Sequence, residues 1–112
     1  LIVCGANGMG FYNFADGIWG CGFRTRAHRR GGNVAYISHS GSGMCGIVDC
    51  EERIDFNLVV STGQELAVSM DEYLDYAIEM PGTRAVGLFM ETARSPAGLV
   101  AALAKARERG IP

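Results

Sequence analysis

From residue 33 onward, short and nearly continuous apolar runs alternate with segments of helical period. That alternation limits the fold more than any other feature of the chain. The runs are Asn33-Val34-Ala35-Tyr36-Ile37-Ser38, Phe56-Asn57-Leu58-Val59-Val60-Ser61 and Ala85-Val86-Gly87-Leu88-Phe89-Met90. Continuous rather than alternating apolar character suits strands covered on both faces, as in parallel sheets. Between and after them lie three predicted helices. The first spans about Ser42 to Arg53, with Met44, Ile47 and Val48 on one face. The second opens on the capping box Ser69-Met70-Asp71-Glu72, carries Leu74, Ala77 and Ile78, and stops at Pro81-Gly82. The third has Ser95 as cap, Pro96 at its first position, and Leu99, Val100, Leu103 and Ala106 as its apolar stripe. Lys105, Arg107 and Arg109 stand near its carboxyl end, where the helix dipole favours cations, and Gly110 closes it. Strand–helix alternation with right-handed crossovers predicts an α/β fold, a three-layer parallel sheet with helices on both faces.

Ile111-Pro112 falls where a fourth strand of this series would begin. The chain also opens without Met on the apolar run Leu1-Ile2-Val3-Cys4, so the sequence reads as truncated at both ends. Leu1 to Cys4 is a predicted strand, Gly5-Ala6-Asn7-Gly8-Met9-Gly10 a tight loop, and Phe11 to Gly32 an extended glycine-rich connection without helical period. Within it, Arg24, Arg26, His28, Arg29 and Arg30 form a basic run. It reads as a solvated linker, or else as a contact for a phosphate-bearing ligand or an acidic neighbouring domain.

Composition excludes several classes. Ten Lys and Arg against twelve Asp and Glu leave a formal charge of −2, which gives no general basic excess for nucleic acid. No apolar run approaches the roughly 20 residues of a membrane span. Cys4, Cys21, Cys45 and Cys50 form no CxxC pair and have no His at zinc spacing, so no metal site is expected. They read as buried free thiols of a reducing compartment, hence a cytoplasmic protein.

The chemistry concentrates in the loops that follow the strands. Ser38-His39-Ser40-Gly41-Ser42-Gly43 joins the first run to the first helix. There, unpaired N–H groups, the helix dipole, serine hydroxyls and glycines that permit close approach make a phosphate site. It also lies at the carboxyl edge of the sheet, where open α/β folds bind ligands. The segment is not a Walker A loop, since no Gly-Lys-Ser/Thr follows, nor a nucleophile elbow. His39 has no acidic residue close in sequence to orient it and reads as a hydrogen-bonding surface residue. Ser61-Thr62-Gly63-Gln64 and Glu91 end the other two strands at the same edge. Glu91 is either a solvated residue paired with Arg94 or a carboxylate aimed into the cleft, where it could orient an imidazole. Glu51-Glu52-Arg53 and Asp71-Glu72 read as solvated helix faces.

Taken in order, these loops resemble the ligase domain of NDP-forming acyl-CoA synthetases, a superfamily that includes the succinyl-CoA synthetase alpha subunit. Its members read Gly-Pro-Asn-x-x-Gly, then Val-Ala-x-Val-Ser-Gln-Ser-Gly, then Ser-x-Gly-Asn, then a strand ending in Glu. Here these stand as Gly5-Ala6-Asn7-Gly8-Met9-Gly10, Val34-Ala35-Tyr36-Ile37-Ser38-His39-Ser40-Gly41, Ser61-Thr62-Gly63-Gln64 and Glu91. The resemblance covers nearly all of the chain. It implies a flavodoxin-like domain over residues 33–112, incomplete at its carboxyl end, with residues 1–32 as the end of a CoA-binding domain and its connection. It implies the reversible reaction of acid, CoA and nucleoside triphosphate to acyl-CoA, nucleoside diphosphate and phosphate. An acyl phosphate would pass its phosphoryl group to a histidine that carries it to an ATP-grasp domain or subunit.

On that resemblance, Ser38, Ser40, Gly41, Ser42 and Gly43 bind the phosphoryl group, and Glu91 steadies the histidine. Asn7, Gly8, Gly10, Cys45, Gly63 and Gln64 lie near substrate or CoA. CoA and ATP or ADP with Mg serve the full-length protein, and the partners are the CoA-binding domain, the ATP-grasp domain and a small carboxylic acid. The chain departs from the pattern at Ala6, Gly8, His39 and Gln64, and Cys45 stands where the succinyl enzymes carry a Tyr near substrate. The phosphorylated histidine falls beyond Pro112, and neither His28 nor His39 matches it, so this stretch alone would not turn over. A flavodoxin-like module that holds a phosphorylated ligand such as FMN on the serine loop is the alternative.

Overall fold

The computed structural model describes residues 2–25, 31–50 and 52–112. Five strands and three helices follow one another as β1 (Gly10–Asn13), β2 (Ile18–Cys21), β3 (Val34–Ser38), α1 (Gly41–Cys50), β4 (Phe56–Ser61), α2 (Met70–Glu79), β5 (Ala85–Phe89) and α3 (Pro96–Glu108). The sheet order is β2-β1-β4-β3-β5. β3 pairs in parallel with both β4 and β5, while β1 is antiparallel to β4 and to β2. The three apolar runs are thus adjacent parallel strands, and the arrangement is the predicted flavodoxin-like α/β fold.

The crossovers explain the layers. The chain leaves β3 for β4 on one side, then returns past β3 to β5 on the other, so right-handed connections put successive helices on opposite faces. On one face Ala35, Ile37, Leu58 and Val60 pack with Met70, Leu74, Ala77 and Ile78 of α2 and with Ala102 and Ala106 of α3. On the other, Met44 and Val48 of α1 pack with Tyr12, Phe14, Phe56 and Val59. A bulge lets Phe56 join that second face. Val34 lies opposite Phe56 and Ala35 opposite Leu58, which leaves Asn57 as the extra residue and reverses the alternation behind it. Asn57 is held by its Nδ2 donating to Thr83 Oγ1 at 2.7 Å and by its carbonyl accepting the Phe14 N–H at 2.8 Å.

The helix signals act as read only in part: the Ser95 side chain makes no cap hydrogen bond, and Ile47, Val100 and Leu103, expected on the apolar faces, are exposed. The Ser69–Glu72 capping box forms, and Pro96 opens α3. α1 ends at Cys50 rather than near Arg53. Lys105 and Arg109 do more than face a helix end: Lys105 pairs with Asp75 and Glu79 of α2, and Arg109 with Glu79. Beyond α3 the Pro112 carbonyl accepts the Val86 N–H at 2.9 Å, so the last residues run beside β5.

The amino-terminal third differs from expectation. Ile2 to Cys4 is not a strand, and Leu1 lies outside the described residues. The last residue of the predicted tight loop, Gly10, and the predicted connection as far as Cys21 instead form a hairpin that extends the sheet. Its strands are four residues each, too short for a clear period, and its outer strand β2 is mostly exposed. Of the basic run only Arg24 is described; Arg26, His28, Arg29 and Arg30 lie outside the described residues, as does Glu51.

Ile37 is fully buried in the central strand, whereas Val100 on α3 is 67% exposed. Ile37→Ala is expected to cost about 3 kcal/mol in urea denaturation, and Val100→Ala less than about 0.5 kcal/mol.

Candidate functional site

The site starts where β3 hands over to α1. Ser38 is fully buried. Its Oγ accepts the Ser40 N–H at 3.1 Å and donates to the Ser40 carbonyl at 2.8 Å, which folds the turn. Ser40 Oγ accepts the Gly43 N–H at 3.0 Å and so caps the helix. Ser42 Oγ lies 3.2 Å from it. The inner hydroxyls therefore shape the turn, and the first-turn N–H groups of Gly41 and Ser42, which have no acceptor within the helix, are the donors left for an anion. Gly41 is also a point of close approach: a Cβ there would run into the Met9 side chain. The loop before β1 thus closes over the helix start.

The other two loops converge on the same place. Met9 donates its N–H to Ser61 Oγ at 3.1 Å. The Gln64 and Leu66 N–H groups bond to the carbonyls of Ala6 and Gly5 at 2.8 and 3.1 Å. Gly63 adopts a φ of 61°, and a Cβ on it would strike the Ala6 carbonyl oxygen, so only glycine suits this crossing. Asn7 and Gly8 lie against Gly63, and Gly10 opens β1 opposite Ser61. The Thr62 N–H bonds to the Ser38 carbonyl at 2.9 Å, joining this pair of loops to the serine turn. Asn7, Gly8, Gly10, Gly63 and Gln64 are therefore gathered beside Ser38–Gly43.

His39 departs most from its sequence reading. It is no surface residue, since its side chain is only 5% exposed, and it has an orienting carboxylate: Nε2 lies 2.8 Å from Glu65 Oε1, whose side chain is 1% exposed. Its Nδ1 accepts the Glu91 N–H at 2.9 Å, and its own N–H bonds to the Phe89 carbonyl at 3.0 Å. Glu65 is reached across 26 residues of sequence, because β3 and β4 are neighbours. Its backbone sits in the left-handed region at φ 53°, which costs an ordinary residue about 1 kcal/mol. Its Oε2 is buried without a hydrogen-bond partner. Only the strand order, which brings the loop after Ser61 beside His39, could have signalled this residue.

Glu91 lies two residues beyond β5 with an exposed side chain, and among the described residues it makes no ion pair with Arg94. Its backbone is at the cleft edge through His39. Cys45 lies one turn into α1, packed with Met9 and Cys21 along the flank of the Tyr12–Met44 core. Burial first, then Cys21 and Asp49, pushes the Cys45 thiol above its ordinary value. Cys21 and Cys45 are half-buried, but Cys4 is exposed, against the expectation of buried thiols.

An α1 N-terminus at the carboxyl edge of a parallel sheet, ringed by two glycine-bearing loops, is the arrangement of a flavodoxin-like domain, and it lies at the edge where open α/β folds bind ligands. The profile of the succinyl-CoA ligase like flavodoxin domain matches residues 31–112, and the chain belongs to that family. A search of the curated proteins finds no match. Among solved structures, a protein of Pyrococcus horikoshii OT3 superposes with a TM-score of 0.80 at 26% identity, over 91% of this chain and 23% of that one. The dinucleotide forming acetyl-coenzyme A synthetase 1 of Ca. Korarchaeum cryptofilum, in its apo form, gives a TM-score of 0.84 at 23% identity over 99% of this chain and 25% of that one. The same synthetase in complex with phosphate and ADP gives 0.77 at 24%, over 91% and 22%. The chain spans about a quarter of the length of these proteins. No helix among the described residues is long and apolar enough to cross a membrane.

Two outcomes follow from this geometry. Ser40→Ala is expected to destabilise the domain by about 1 kcal/mol in thermal or urea unfolding, through loss of the cap. Iodoacetamide at pH 7.5 is expected to modify Cys4 well before Cys45, and Cys45 labelling to rise only as the pH climbs toward its raised value, read by peptide mass spectrometry.

Proposed function

We propose that this domain is the phosphoryl-holding half of the active site of an NDP-forming acyl-CoA synthetase, working with a CoA-binding domain and an ATP-grasp domain or subunit of the same ligase. The supporting observation is the meeting of the capped α1 N-terminus with the Gly5–Gly10 and Ser61–Gln64 loops at one edge of the sheet. Family membership and the fold of the acetyl-coenzyme A synthetase support the same reading.

The residues present fit a phosphoryl group. Such a group carries up to two negative charges, and the α1 terminus offers the Gly41 and Ser42 N–H donors and the positive end of the helix dipole. Ser38 and Ser40 keep those donors in place, and Gly43 lies where the cap needs a backbone donor. Gly8 and Gly63 let their two loops pack backbone to backbone beside the serine turn, and the reacting carboxylate and thiol approach the phosphoryl group from the side of the Asn7–Gly10 loop. Gln64 and Cys45 border that approach, and with a raised thiol value Cys45 contributes shape rather than a thiolate nucleophile. Glu91, exposed two residues beyond β5, serves as the carboxylate that accepts an N–H from the histidine carrying the phosphoryl group. CoA and Mg belong to the complete ligase, which transfers the phosphoryl group between acyl phosphate and nucleoside diphosphate. A small carboxylic acid is the substrate, and the cytoplasm is the expected location.

The test uses the ligase that carries this domain, incubated with Mg and ATP labelled in its terminal phosphate. Acid-labile, base-stable label on a histidine is expected, and Glu91→Gln is expected to slow its formation about ten- to a hundredfold. Label that is absent, or that forms equally fast in Glu91→Gln, contradicts the reading. So does label that sits on a carboxylate.

A further inference from the structure

We infer that His39 is a positioning residue: its imidazole, held in one tautomer by Glu65, fixes the backbone of Glu91 at the edge of the cleft. The inference rests on the proposed role of Glu91 only for its functional consequence; the positioning itself stands on geometry. A backbone N–H can only donate, so the 2.9 Å contact from the Glu91 N–H makes His39 Nδ1 an acceptor. The ring proton is then on Nε2, which donates to Glu65 Oε1 at 2.8 Å. Both nitrogens are engaged, and with the side chain 5% exposed neither is free to take a proton from substrate or to carry a phosphoryl group.

The connection spans three loops. His39 follows β3, Glu65 follows β4 and Glu91 follows β5, and the ring sits between the last two. Glu65 has a further mark of this role. Its backbone is left-handed and its side chain is 1% exposed, an arrangement that turns the carboxylate inward to a single donor. A buried carboxylate without that donor would be strongly unfavourable, so Glu65 and the Nε2–H hold each other in place. The His39 N–H bond to the Phe89 carbonyl adds a backbone tie two residues before Glu91. The Glu91 carboxylate therefore projects from a main chain that is tied at Glu91 itself and two residues before it, although the side chain is exposed.

Two substitutions separate the two nitrogens. In His39→Asn the side-chain oxygen stands near the place of Nδ1 and can still accept the Glu91 N–H. In His39→Gln the amide reaches the place of Nε2 and can still meet Glu65, but nothing accepts at Nδ1. Hydrogen–deuterium exchange of the intact protein is expected to show the Glu91 amide exchanging about tenfold faster in His39→Gln, with β4 amides unchanged, and protection largely kept in His39→Asn. Equal Glu91 exchange in wild type and His39→Gln overturns the inference, as does loss of protection in both variants alike.

If His39→Gln fails to fold, the wild-type chain decides the matter by nitrogen NMR of its two labelled histidines. At neutral pH His39 should be the Nε2–H tautomer, and an Nδ1–H tautomer or a doubly protonated ring overturns the inference. In the labelled-ATP assay His39→Gln should slow phosphorylation, but by less than about twofold once Glu91→Gln is already present, because the two act through one group. Independent, multiplying effects overturn the positioning role. Normal phosphorylation in Glu91→Gln would instead remove the proposed role of Glu91, and the exchange result would still judge the clamp.

Discussion

β3 has hydrogen-bonded parallel neighbours on both sides, and the whole carboxyl edge depends on that. Because β4 and β5 flank it, the loops that follow all three strands emerge side by side. The tie from the Thr62 N–H to the Ser38 carbonyl and the tie from the His39 N–H to the Phe89 carbonyl continue the sheet one step past its last strand residues. The serine turn is therefore anchored on both flanks before α1 begins. A helix N-terminus is a weak anion site if its first turn frays, so this anchoring is what makes the exposed donors usable.

The hairpin contributes from the third side. β1 pairs with β4, and the loop leading into it is drawn down onto the end of β4 by bonds to Ser61, Gln64 and Leu66. Glycine at position 63 lets two main chains cross, and glycine at position 41 lets Met9 lie on the helix start. Met9 supplies an apolar cover beside the polar N–H groups at the helix start. The arrangement thus combines a rigid parallel sheet, a capped helix and a small-residue rim, with each piece positioned by backbone bonds.

Much of this was legible in the sequence because its signals are local. The apolar runs matched β3, β4 and β5 to within a residue, since strands covered on both faces must be apolar throughout. The Ser69–Glu72 box and Pro96 located the starts of α2 and α3 because caps act within a single turn. Cys4 shows where composition misleads: apolar neighbours did not bury it. β1 and β2 escaped because four-residue strands next to glycines carry too little pattern. Glu65 escaped for a different reason. Its partnership with His39 joins residues 26 apart and needs the strand order, which no local pattern contains. The same absence made His39 look unoriented and exposed when it is neither.

The most direct test of the central claim, that the α1 N-terminus is built to hold a phosphoryl group, is a titration of the nitrogen-15-labelled chain with inorganic phosphate, followed by amide NMR against a chloride control of equal ionic strength. Saturable shifts centred on Gly41, Ser42 and Gly43, with smaller ones at Gly8 and Gly63, are the result the account predicts. Shifts scattered over the arginines and lysines, or none beyond the chloride control, would contradict it.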